Sequence, residues 1–144
     1  MPYTYDYPRP AVTVDCLLFS RQDGRVDVLL IQRDKPPFEG AWALPGGFVD
    51  IEEPVMTAAK RELEEETGLK DIPLEQFYTF GTPGRDPRGR TISIVYYGFA
   101  DRAQQTAHAG SDARNVRWFD IHNLPPLAFD HDEIISLAIK KMAL

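Results

Sequence analysis

The chain has 144 residues, 43% apolar and 26% charged, which suits one globular domain over 1–144 and excludes a low-complexity or collagen-like polymer. Its 16 basic and 22 acidic residues give a net charge of −6, so no broad basic face for nucleic acid is expected. Cys16 is the one cysteine, no apolar run approaches the ~18 residues of a membrane span, and the opening Met1-Pro2-Tyr3-Thr4 has no leader character, so a cytoplasmic protein without internal disulfide or membrane partner is expected.

A polar, proline-bearing lead over 1–10 precedes two apolar runs, Ala11 to Phe19 and Val26 to Gln32, which read as strands. The Asp23-Gly24 pair between them predicts a hairpin turn. Cys16, inside the first run, reads as a small buried hydrophobe rather than a reactive thiol. Arg33 to Trp42, with Pro36, Pro37 and Gly40, predicts a loop. From Pro54 to Thr67 the period becomes helical, with Pro54 suited to the first turn and Gly68 to the end. Gln76 to Phe80 and Thr91 to Ala100 are further strands, separated by a loop carrying Pro83, Gly84, Pro87 and Gly89. Val116 to Phe119 predicts a short strand, and Asp130 with Glu133 predicts the start of a closing helix. Strands with one helix in mid-chain and one at the end predict an α/β (α+β) fold, a mixed sheet between helices.

The charge is concentrated. Between Gly47 and Leu69 lie seven acids and two bases, which leaves the rest of the chain close to neutral. At about 100° per residue, Val55, Met56, Ala59 and Leu63 share one arc of the helix, while Glu62, Glu65 and Glu66 crowd its flank. Carboxylates at three- and four-residue spacing repel, and a hard divalent cation would relieve them. Periodicity by itself fits a solvated acidic face as well as a cation site.

Gly47, Glu53, Arg61-Glu62-Leu63, Glu65-Glu66 and Gly68-Leu69 match the pattern G-x5-E-x7-R-E-U-x-E-E-x-G-U at all nine defined positions, U being a bulky apolar residue. The segment thereby resembles the Nudix box, and Trp42-Ala43-Leu44-Pro45-Gly46 resembles its usual lead-in. The resemblance implies an α/β/α sandwich with a mixed β-sheet and the box as a loop-helix-loop. It implies a Mg2+-dependent hydrolase, with Mn2+ as a substitute, acting on a nucleoside diphosphate linked to another moiety. Glu62, Glu65, Glu66 and the carbonyl of Gly46 are then the expected metal ligands, and Glu53 and Arg61 the residues holding the box in shape. Glu65 and Asp112, the carboxylate of the 109–114 loop, are alternative general bases, and a turn-forming aspartate is the plainer reading of Asp112. His108, His122 and His131 read as surface or helix-end residues.

Substrate choice rests on softer resemblance. Gly84-Arg85-Asp86-Pro87-Arg88-Gly89-Arg90-Thr91 and Leu127-Ala128-Phe129-Asp130-His131 resemble segments of ADP-ribose pyrophosphatases. Arg33, Arg85 and Arg88 are the candidate phosphate contacts and Phe38 a candidate stacking surface for a base. The expected reaction converts the small-molecule nucleotide ADP-ribose to AMP and ribose 5-phosphate. The alternatives are an oxidised nucleoside triphosphate or nucleotide sugar as substrate, and a non-catalytic ADP-ribose-sensing module. Relatives are frequently homodimers, and Tyr3, Tyr5 and Tyr7 make the lead a candidate contact.

Overall fold

The computed structural model describes residues 2–110 and 113–144. Strands β1 (Ala11–Gln22) and β2 (Arg25–Arg33) form the expected antiparallel hairpin. Asp23 and Gly24 both adopt positive φ, 53° and 76°, the twist that a two-residue hairpin turn requires. Strand β6 (Thr91–Phe99) lies parallel to β1, matched from Ala11–Thr91 to Phe19–Phe99, and β5 (Glu75–Phe80) is antiparallel to β6. Strand β7 (Ala113–Asp120) pairs antiparallel with β2 and is longer at both ends than its apolar centre predicted.

The sheet forks between β1 and β2. Their pairing covers only Phe19–Gln22 against Arg25–Val28. Further along, β1 turns to β4 (Gly46–Phe48) through Thr13, Val14 and Asp15. Meanwhile β2 turns to β3 (Trp42–Ala43) through Ile31 and Gln32. Trp42 and Ala43, expected at the end of a loop and in the lead-in to the box, are therefore a short strand held by the free side of β2. Leu44 and Pro45 cross the fork, with the Cys16 N–H donating to the Pro45 carbonyl at 2.8 Å.

Alternation along β1 sends its side chains to opposite layers. Val14, Cys16 and Leu18 pack with Ala58, Ala59 and Leu63 of helix α1 (Val55–Thr67). Leu17 and Phe19 pack with Ile134, Ile135 and Ala138 of helix α2 (His131–Met142). The architecture is thus the expected mixed sheet between helices. Pro54 sits one position outside α1, at φ −62° and ψ 144°, and Gly68 ends the helix at φ 77° with its N–H donating to the Glu64 carbonyl. Asp130 precedes α2 but gives no side-chain cap. Its carboxylate instead accepts two hydrogen bonds from Arg85, a charge-assisted pair that outcompetes a neutral cap.

Cys16 is fully buried, its thiol directed at the Ala59 carbonyl, and burial pushes its pKa upward. A thiol reagent is expected to modify native protein at least about a thousand-fold more slowly than denatured protein, as the reaction must await opening of the core. Rapid stoichiometric labelling of native protein would contradict this packing.

Candidate active site

Helix α1 brings three carboxylates to one rim of a cleft of about 430 Å³, lined also by Arg33, Gly47, Phe48 and Arg88. They occupy different environments. Glu65 is half exposed, whereas Glu62 is mostly covered and Glu66 is buried. Glu66 Oε1 accepts a hydrogen bond from the Gly46 N–H at 2.7 Å, which joins the helix to β4. Burial pushes the Glu66 carboxyl up to about 8, against the Gly46 bond, with Glu62 and Asp15 adding to the rise. Burial also raises Glu62, opposed by Arg61.

Arg61 organises the outer half of the rim. Its Nε and Nη2 donate to both oxygens of Glu53 at 2.6 and 2.9 Å, and Nη2 also reaches the Phe48 carbonyl. Nη1 donates to Glu62 at 2.8 Å and lies 3.3 Å from Glu65. The bidentate bond from Arg61 holds the Glu53 carboxyl below the usual carboxylate range. Glu53, ahead of the helix, is thereby fastened to its middle turns. Gly47 supplies the remaining closeness: a Cβ there would stand 2.6 Å from the Glu62 carboxyl carbon.

Among the described residues no three carboxylate, imidazole or thiol groups already converge as a closed cation site. Glu62 faces Arg61 and Glu66 faces the Gly46 amide. The donor chemistry nevertheless fits a hard divalent cation. Glu62, Glu65 and Glu66 border one polar cleft with Asp34 and Asp50 and without sulfur or imidazole, and Glu66 is a buried carboxyl held by a neutral amide donor.

The substrate candidates divide. Arg33 lines the cleft, its Nε donating to the Pro37 carbonyl and its guanidinium 5.1 Å from the Phe129 ring. Phe38 is exposed and meets Phe129, which borders the neighbouring inner pocket, edge-on. Arg88 lies between the Phe48 and Phe129 rings, 4.7 and 5.0 Å from their centroids, while pairing with Asp86. Arg85 is different: its side chain is only 5% exposed, and Asp130 and Ser93 occupy its nitrogens. In this arrangement it is a buried counter-ion to Asp130 at the wall of the inner pocket. Asp112, the alternative base, lies outside the described residues. The segment before it is anchored to the end of α1, with His108 N–H on the Thr67 carbonyl and Gly110 N–H on the Glu66 carbonyl.

Behind Glu66 an inner pocket of about 60 Å³ opens in the fork, bordered by Thr13, Asp15, Ser93 and His131. The sequence reading passed over Thr13, Asp15 and Ser93 and took His131 for a surface or helix-end residue. His131 does stand at a helix end, but it is buried, its Nδ1 accepting the Leu44 N–H at 3.0 Å. Burial lowers its pKa and raises that of Asp15. An aspartate within the apolar run Val14 to Phe19 was the one available signal.

A family model described as the NUDIX domain matches residues 9–138. An ADP-ribose pyrophosphatase of Methanocaldococcus jannaschii is 45% identical over 130 residues, covering 90% of this chain and 73% of that protein. An ADPR-responsive transcriptional repressor of Acinetobacter baylyi is 38% identical over 95% of this chain, which spans 56% of the repressor's length. Among solved structures, the NUDIX domain of Shewanella oneidensis NrtR complexed with ADP ribose superposes with a TM-score of 0.87 at 33% identity, covering 96% of this chain and 94% of that one.

Because the folded-state pKa of Glu66 lies above its unfolded value, the native state binds more protons than the unfolded chain between about pH 4.5 and 8. Without divalent cations, Glu66 therefore makes stability fall as pH rises through that window, by at most about 1.4 kcal/mol per unit. Denaturation in a chelator at pH 6, 7 and 8 should show a shallower decline for Glu66→Gln than for wild type. Parallel slopes would remove the buried carboxyl from this account.

Proposed function

The chain belongs to the Nudix family, and from that premise we propose that it hydrolyses ADP-ribose to AMP and ribose 5-phosphate with Mg2+, which Mn2+ can replace. The observation that carries the reading is the set Glu62, Glu65 and Glu66 on one rim of a cleft whose other walls hold Arg33, Arg88 and the exposed ring of Phe48. The 45% identity to an ADP-ribose pyrophosphatase supports the choice of substrate.

In this reading Glu62, Glu65, Glu66 and the Gly46 carbonyl hold the cation. When bound, it screens the diphosphate oxygens and makes a water a better nucleophile. The chain's own residues do the rest. Arg61 and Glu53 keep the helix and the loop before it at a fixed separation, and Arg33 and Arg88 offset the diphosphate charge. Phe38 offers one face to the base. Glu65, the most exposed of the three carboxylates, or Asp112 accepts the proton of the attacking water.

The similarity to an ADPR-responsive repressor and to a NUDIX domain complexed with ADP ribose favours one second reading, a sensor that binds the nucleotide without turnover. One assay separates the two. Wild type is expected to release AMP from ADP-ribose only with Mg2+ and to prefer it by kcat/KM over nucleoside triphosphates and nucleotide sugars. Glu66→Gln should lower kcat by about a hundred-fold or more with the fold intact. Tight ADP-ribose binding without turnover would replace the hydrolase by the sensor, and preference for another nucleotide would remove ADP-ribose alone.

A further inference from the structure

The inner pocket has a chemistry that the cleft does not share. His131 Nδ1 accepts the Leu44 N–H, so the proton of the neutral ring sits on Nε2, which points toward Asp15. The Nε2 to Asp15 Oδ1 separation of 3.7 Å is too long for a hydrogen bond, leaving a donor and an acceptor side by side. Ser93 borders the same pocket beside Asp15, whose carboxylate its hydroxyl helps to hold, and that hydroxyl is also bonded to Thr13 and accepts from Arg85 Nη1 at 2.8 Å. Every side chain named is buried, so these groups have few partners other than one another and whatever enters.

Three kinds of chemical group compete for such a place. An ionised phosphate only accepts hydrogen bonds and would meet the Asp15 carboxylate, while of the bordering arginines Arg85 already neutralises Asp130, Arg88 pairs with Asp86, and Arg33 and Arg88 also line the outer cleft. A nucleobase is too large for about 60 Å³, which is room for on the order of two water-sized groups. A hydroxyl both donates and accepts, and it satisfies Asp15 and His131 together. Resting on the reading of the site as one for a nucleoside diphosphate joined to a second moiety, we propose that the inner pocket receives hydroxyl groups of that second moiety. It selects a sugar by Asp15, His131 and Ser93, and leaves the base in the outer cleft beside Phe38 and Phe48. Glu66 borders both pocket and cleft, so a diphosphate at its carboxylate has one arm directed to each.

The test compares ADP-ribose with ADP esterified to cyclopentylmethanol, which keeps a five-membered ring and lacks its hydroxyls. Wild type is expected to favour ADP-ribose at least about thirty-fold in kcat/KM, since the analogue leaves buried polar groups unpaired. That ratio should fall at least five-fold in Asp15→Asn and in Ser93→Ala, a second variant that keeps the test alive should the first not fold. Hydrolysis of both compounds at similar kcat/KM by wild type would overturn the hydroxyl pocket and leave the hydrolase standing. If neither is hydrolysed, the hydrolase reading falls. Calorimetric titration with the same two compounds then decides the pocket: a ratio of dissociation constants above thirty upholds it, and equal affinities overturn it.

Discussion

A strand can hydrogen-bond to one neighbour on each side, and β1 uses this limit to create the site. One of its edges is occupied by β6 from Ala11 to Phe19. The other is divided between β2 at Phe19–Gln22 and β4 at Thr13–Asp15. The change of partner separates β1 from β2, and 42–48 enters the gap with one short strand on each bank. Each later feature hangs on that opening. The Gly46 amide is brought against Glu66, Gly47 against Glu62, and the side chains that would otherwise be covered by a continuous sheet line a cavity.

Placing charges here is costly, and the arrangement distributes the cost unevenly. Arg61 compensates Glu53, Glu62 and Glu65 from a position near the surface. Arg85 compensates Asp130 in the interior, where an unpaired guanidinium would be far more damaging. Glu66 is buried beside Glu62 and Asp15 with the Gly46 amide as its donor, and that burial raises its pKa. The inner and outer halves of the site therefore differ in kind. One is a charged rim that grades from half-exposed Glu65 to buried Glu66, the other a small space bordered by the buried side chains of Thr13, Asp15, Ser93 and His131.

Much of this was legible in the residues, and the illegible part has a physical cause. The helix carrying Glu62, Glu65 and Glu66 announces itself through local spacing, because neighbours on a helix are three and four residues apart. The turn at Asp23-Gly24 and the stop at Gly68 are local too, and both lie where they were expected. The inner pocket is non-local. Thr13 meets Ser93 across 80 residues through strand register, and His131 joins from the last helix. An arginine in a glycine- and proline-rich loop reads as exposed, yet Arg85 is drawn inward by Asp130, 45 residues away. No composition rule foresees that partner.

The two helices lie on opposite faces of the sheet, yet each contributes to the same opening: Glu66 from α1 and His131 from α2. Neither half of a partly folded chain can assemble such a place, because one layer docked on the sheet supplies one wall only. Ligand recognition should then be a property of the fully formed molecule, with no weaker version in an intermediate. A nucleotide that fits the fork would act as a clamp on the whole fold, raising its resistance to heat and proteolysis in proportion to the logarithm of ligand concentration.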